Sequence, residues 1–118
     1  MNEIKLGKQE VIHFVGIGGI GMSGLAQIMK TMGFKIQGSD VNKNKNTENC
    51  KKVGIKILKG HKKKHINKVT IVVKSSAIKS NNIELLAAKK NNIPIYDRIE
   101  MLANIIDLKK NIIITGSH

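Results

Sequence analysis

The sequence predicts an α/β fold: a Rossmann-like open parallel sheet with helices on both faces, in three α/β/α layers. Two observations carry this. Short runs rich in Ile and Val alternate with segments of helical period, and the first apolar run leads directly through a glycine-rich turn into a helix.

Taken in order, strands are expected at 10–16, 34–38, 55–59, 69–74, 93–96 and 111–115, and helices at 21–32, 45–53, 81–91 and 98–107. The first helix is the crossover between the first two strands. Its Met22, Leu25, Ala26, Met29 and Met32 recur at three- and four-residue steps and read as core, and Gly33 closes it where a left-handed cap is wanted. The polar stretch 41–48 reads as a loop ahead of a helix capped around Thr47. Asn81 and Asn82 offer a cap to the helix carrying Ile83, Leu85, Leu86 and Ala87, and Asn91-Asn92 ends it. Pro94 then opens the fifth strand, where its missing N–H does least harm. Lys62-Lys63-Lys64 reads as a solvated loop.

At 118 residues the chain is one domain's worth, and its 41% of apolar residues suffices for a core, which excludes a disordered chain. The single cysteine, Cys50, has no internal partner, and the opening ten residues carry two acids and no apolar run, unlike a secretory leader. A reducing, cytoplasmic setting is expected. No apolar stretch approaches the roughly 18 residues that span a bilayer, so no membrane partner is expected either. The net charge of +13 raises the question of nucleic acid, but 20 of the 21 basic residues are Lys, only Arg98 is Arg, and aromatics make up 3%. Base readout and stacking recruit Arg and aromatics, so the charge reads as a solvated Lys-rich surface in a chain that also holds 20 Ile and 12 Asn. Oligomeric state is left open.

The segment Val15-Gly-Ile-Gly-Gly-Ile-Gly-Met22 holds G-x-G-x-x-G as Gly16, Gly18 and Gly21, between a strand and a helix. The first glycine permits the tight turn, the second lets the backbone approach a diphosphate, and the third allows close helix packing, while the helix N-terminus offers free N–H groups to the anion. Gly19 adds backbone access. The second strand runs into Gly38-Ser39-Asp40, which places a carboxylate about 20 residues beyond the loop, where this fold hydrogen-bonds a ribose hydroxyl. Asp40 in the same position would also serve as a turn cap. Spacing alone leaves NAD, FAD and a nucleotide sugar open.

The string His13-Phe-Val-Gly-Ile-Gly-Gly-Ile-Gly-Met-Ser-Gly-Leu-Ala26 closely resembles the opening of the UDP-N-acetylmuramate:L-alanine ligases of the Mur ligase family. The likeness continues in Gly38-Ser-Asp40, Gly60-His61, Ser75-Ser-Ala-Ile78, Asn82-x-Glu84, Ile93-Pro94 and Arg98-x-Glu-Met-Leu-Ala103. The related branch that recycles muropeptides by ligating a tripeptide typically carries a Cys and a Phe in its loop, where this chain has Gly19 and Gly21. The chain's end, 111–118, looks like the strand and first residues of the family's ATP loop, Thr115, Gly116, Ser117 and His118, which ordinarily runs on as Gly-Lys-Thr.

The resemblance implies a UDP-sugar-binding domain over 1–110 and the start of a central ATP-binding domain over 111–118. It implies UDP-N-acetylmuramate as ligand, with L-alanine, ATP and Mg2+ handled by further domains, and no cofactor, metal or catalytic residue in this fragment, which alone would be inactive. By carry-over, Gly16, Ile17, Gly18, Gly19, Ile20 and Gly21 present amides to the diphosphate, and Ser39 and Asp40 sit beside the ribose or uracil. His61 contacts the uracil, and Ser75 and Ser76 lie at the carboxyl edge of the sheet. His61 equally reads as an exposed loop histidine, and the two serines as turn caps. His13 and His65 are assigned nothing beyond packing or solvent contact. Arg98 and Glu100 are expected to orient the last helix, and Cys50 to be a half-buried helical thiol. The Ile112-Ile-Ile114 strand, parted from an ATP domain, is expected to dock on a sheet or a neighbouring molecule. The competing reading is a stand-alone NAD-binding sensor module, which needs the same loop and Asp40 but gives no reason for the later motifs.

Overall fold

In the computed structural model, residues 4–116 are described, and their side chains through residue 110. The order is β1 (Val11–Val15), α1 (Ile20–Thr31), β2 (Lys35–Asp40), α2 (Lys45–Lys52), β3 (Lys56–Lys59), a 3-10 turn (Lys63–Ile66), β4 (Ile71–Lys74), α3 (Ile83–Lys90), β5 (Ile95–Asp97) and α4 (Arg98–Gly116). The strands form one parallel sheet in the order β3-β2-β1-β4-β5. The chain steps outward from β1 to β3, then returns to the other side of β1 for β4. The carboxyl ends of β1 and β4 therefore mark the point where strand order reverses, the crevice in which open α/β sheets bind ligands.

Residues in β1 alternate between the two faces. Ile12 and Phe14 join Leu25, Met29, Met101 and Ile105 in a core beneath α1, α2 and α4, whereas Val15 joins Val72, Leu85 and Ala88 beneath α3 and the 3-10 turn. Gly33 closes α1 at φ +100, as its position after Met32 predicts. The second helix begins at Lys45 as expected, with its cap at Asn44 rather than at Thr47. Asn44 is the N-cap and accepts from the Thr47 amide at 2.9 Å, while Thr47 Oγ1 accepts from the Asn44 amide at 3.0 Å, a reciprocal capping box. Asn82 caps α3 by accepting from the Glu84 amide. Cys50 is fully buried rather than half-buried, and burial pushes its thiol pKa up.

Two expectations are corrected. The sixth strand, 111–115, is absent: α4 continues through this segment to Gly116. No glycine or proline interrupts residues 98 to 115, so helix propagates at one hydrogen bond per residue, and a β-branched run becomes a strand only where a neighbouring strand receives it. The idea of a docked Ile-rich edge falls with it. Lys62–Lys64 is exposed as expected but is not a plain loop: Lys63 and Lys64 form the first half of the 3-10 turn, which buries His65 and Ile66 against α3. Among the described residues no helix is long and apolar enough to cross a membrane.

Candidate functional site

The glycine loop leaves β1 at Gly16, whose φ of +82 turns the chain. The amides of Gly16 and Ile17 both donate to the Ser39 carbonyl, at 2.9 and 3.0 Å, and the Gly18 amide donates to Asp40 Oδ2 at 2.7 Å. A Cβ at Gly18 would stand 2.7 Å from that oxygen. Ile17 is fully buried against Gly38 and anchors the loop, whereas Ile20 is 89% exposed. Because the first helical bond runs from Ser23 N to the Gly19 carbonyl, the amides of Ile20, Gly21 and Met22 have no main-chain acceptor among the described residues. The free donors therefore lie at the helix end of the loop, while the amides of Gly16, Ile17 and Gly18 are committed to tying it to β2 and that of Gly19, against expectation, to the Gly16 carbonyl at 3.2 Å.

Asp40 takes two amides, Gly18 on Oδ2 and Asn42 at 3.0 Å on Oδ1. A carboxylate has about four acceptor positions, so it retains capacity for a hydroxyl. Beside it a cleft of about 120 Å³ is lined by Asp40, Asn42, Lys43, Thr47, Lys51, Ile57 and Lys59. Ser75 lies at the reversal point: its amide continues the ladder to the Val15 carbonyl at 3.2 Å, and its Cβ packs near Gly16. Ser76, next to it, is exposed. Of the ATP-loop residues, Thr115 and Gly116 fall in the last turn of α4, and Ser117 and His118 lie outside the described residues.

Ser39 does not face the crevice. It is fully buried, and its hydroxyl donates to Glu84 Oε1 at 2.6 Å. Glu84, also fully buried, collects three further donors: His13 Nε2 at 2.7 Å on Oε1, and on Oε2 His65 Nδ1 at 2.6 Å and the Lys62 amide at 3.0 Å. Burial alone would push the carboxyl up, but the hydrogen bonds from His13, Ser39 and His65 outweigh it and hold the pKa at about 2. His61 reaches the same cluster, its Nδ1 3.1 Å from Ser39 Oγ, with 14% of its side chain exposed.

Sequence reasoning missed this cluster, although a signal was present. Glu84 falls on the same helical face as Leu85 and Ala88, and His13 occupies the inward position of β1 that alternates with Phe14, so two polar groups were marked for one buried layer. Arg98 and Glu100 act in different ways at the start of the last helix. The last helix is oriented by Asp97 and Glu100, whose side chains accept from each other's amides at 2.9 and 3.0 Å. Arg98 instead lays its guanidinium against Gly21, where a Cβ would meet it at 2.8 Å, beside the free amides of α1.

The parallel sheet with its switch point, the glycine loop and the acid ending β2 define a Rossmann-like open α/β domain. The chain belongs to the Mur ligase family: residues 11–110 match the model described as Mur ligase family, catalytic domain. It is 66% identical to a UDP-N-acetylmuramate--L-alanine ligase of Pelagibacter ubique over 98% of this chain and 25% of that protein. Among solved structures it resembles the UDP-N-acetylmuramate-alanine ligase of Thermotoga maritima, with a TM-score of 0.81 and 32% identity over 85% of this chain and 23% of that one. It also resembles the UDP-N-acetylmuramate:L-alanyl-gamma-D-glutamyl-meso-diaminopimelate ligase of Neisseria meningitides, with a TM-score of 0.70 and 26% identity over 75% of this chain and 28% of that one. The chain thus spans about a quarter of the length of the relatives it matches.

Proposed function

We propose that this chain is the N-terminal unit of a cytoplasmic UDP-N-acetylmuramate:L-alanine ligase and that it holds the UDP portion of the sugar nucleotide. The observation that carries the reading is the set of amides at Ile20, Gly21 and Met22 without a main-chain acceptor among the described residues, at the N-terminus of α1 just after the Gly18 amide that binds Asp40. The similarity to L-alanine ligases over 98% of the chain supports it. In this reading the diphosphate sits at the α1 N-terminus, Asp40 accepts from a ribose hydroxyl, His61 borders the base, and Ser75 and Ser76 flank the sugar side. Ser39 acts from behind, through its carbonyl and its hydroxyl.

Activation of the muramate carboxylate as an acyl phosphate, and its capture by the amine of L-alanine, belong in this reading to parts of the ligase beyond this chain. ATP and Mg2+ belong there as well. Thr115 and Gly116 lie in a continuous helix and form no phosphate cradle here, so no step is assigned to them. Residues 111–118 are read as the lead into the ATP-binding domain.

The test is a thermal-shift titration with UDP-N-acetylmuramate, UDP, NAD and ATP. A site filled to tenfold over its Kd adds about 1.4 kcal/mol, which raises the Tm of a domain this size by several degrees. The expected result is a rise with both UDP compounds and none with NAD; a rise with NAD alone would replace this reading by that of a nicotinamide sensor.

A further inference from the structure

Every donor and acceptor around Glu84 is accounted for, and the count dictates where the protons sit. Gln37 Nε2 donates to the His65 carbonyl at 3.0 Å, which fixes the orientation of its amide, since a carbonyl only accepts. The same nitrogen meets His13 Nδ1 at 2.8 Å, so Nδ1 is the acceptor and the His13 proton is on Nε2, directed at Glu84. The ionised carboxylate takes four donors, two on each oxygen, which uses its capacity. One of these is the only proton of the Ser39 hydroxyl. The contact at 3.1 Å between Ser39 Oγ and His61 Nδ1 then requires His61 to donate. A neutral His61 so held has its proton on Nδ1 and a bare Nε2. Its backbone follows Gly60, whose amide donates to the Asp40 carbonyl at 2.8 Å, so His61 leaves β3 at the carboxyl edge of the sheet.

We propose that Glu84 is a positioning residue which, through the Ser39 hydroxyl, holds His61 as the Nδ1–H tautomer, so that Nε2 accepts from a nucleobase bearing a ring N–H. Uracil carries such an N–H at N3; cytosine presents a bare nitrogen in the same place, which faces the Nε2 lone pair unfavourably. The inference rests on the nucleotide reading above for its ligand, and on the buried network alone for its tautomer.

The experiment uses the 118-residue chain labelled with 15N, with long-range proton–nitrogen spectra of the imidazoles at pH 8 and titrations with UDP and CDP. Expected are a proton on Nε2 of His13 and on Nδ1 of His61 and His65, a UDP-dependent shift at His61 Nε2, and UDP bound about tenfold more tightly than CDP. Ser39→Ala removes the relay while leaving Glu84 three donors; it should release His61 to a tautomer mixture and bring the UDP to CDP ratio close to one. Glu84→Gln should do the same where its amide spectrum stays native, and Ser39→Ala decides the matter where it does not. A proton on Nε2 of His61 in the free chain, equal binding of UDP and CDP, or an unchanged ratio in Ser39→Ala each overturns the proposal. If neither nucleotide binds, the nucleotide reading falls, while the imidazole spectra still decide the tautomer.

Discussion

The two faces of the sheet are built on opposite principles. Beneath α1, α2 and α4 the layer is chiefly apolar, with Ile12, Phe14, Met29, Phe34, Ile36 and Met101 at 7% exposure or less. Beneath α3 and the 3-10 turn, a smaller apolar patch around Val15, Val72 and Leu85 adjoins an ionised carboxylate and the side chains of His13, Ser39 and His65, all buried. The difference follows from the connections. The crossover from β3 to β4 is a single 3-10 turn rather than a full helix, so this face has fewer side chains with which to build a core. Directional hydrogen bonds hold β1, β2, the turn and α3 together there. They also give that face a defined geometry at the edge where Asp40 and His61 emerge, which nondirectional apolar packing does not supply.

The largest test of this contrast is Glu84→Ala, which leaves His13, Ser39, His65 and the Lys62 amide as buried donors without an acceptor. Its expected cost is about 5 kcal/mol, enough to unfold much of the population, read as a loss of cooperative urea unfolding. On the apolar face, Phe14→Ala should cost about 4 kcal/mol by transfer and cavity terms, and that cost should be the same at pH 7 and pH 4.

Acid separates the faces further. The Glu84 pKa of about 2 in the folded chain lies below its ordinary 4.5, so its stabilisation is fully present above pH 4.5 and is lost as pH falls from there towards 2. Roughly 3 kcal/mol should disappear over that window, seen as a falling urea midpoint, and Glu84→Gln should flatten that part of the profile. The smallest effect belongs to the exposed counterpart of this cluster. Glu48 lies 3.5 Å from Lys51 and 3.6 Å from Lys43 on the surface of α2, and Lys51→Ala should change the unfolding midpoint by less than about 0.5 kcal/mol equivalent. A loss comparable to that of Glu84→Ala would erase the distinction between buried and exposed carboxylates drawn here.

Much of the fold was legible because its signals are local. The repeat of Met22, Leu25, Ala26 and Met29 marks the buried stripe of α1 within a dozen residues, and Gly16, Gly18 and Asp40 mark a strand end, a helix start and the end of the next strand by spacing alone. The loop's place between β1 and α1 was legible for the same reason. Its division of labour was not, since which amides stay free depends on the Ser39 carbonyl and the Asp40 carboxylate coming over from β2.

By itself, then, the sequence marked β1 to β5, the approximate starts of α1 to α4, the glycine turn and the acid beside it, because helical and strand periods act over three or four residues, but it also predicted a sixth strand where α4 continues. Tertiary structure decided three other matters. A run of isoleucines continues a helix because no breaker intervenes and no strand receives it. Arg98 settles on Gly21 because only a residue without Cβ leaves room for the guanidinium. His13, Ser39 and His65 gather on Glu84 across separations of 71, 45 and 19 residues, and each polar group is tolerable in the interior only because the others satisfy it.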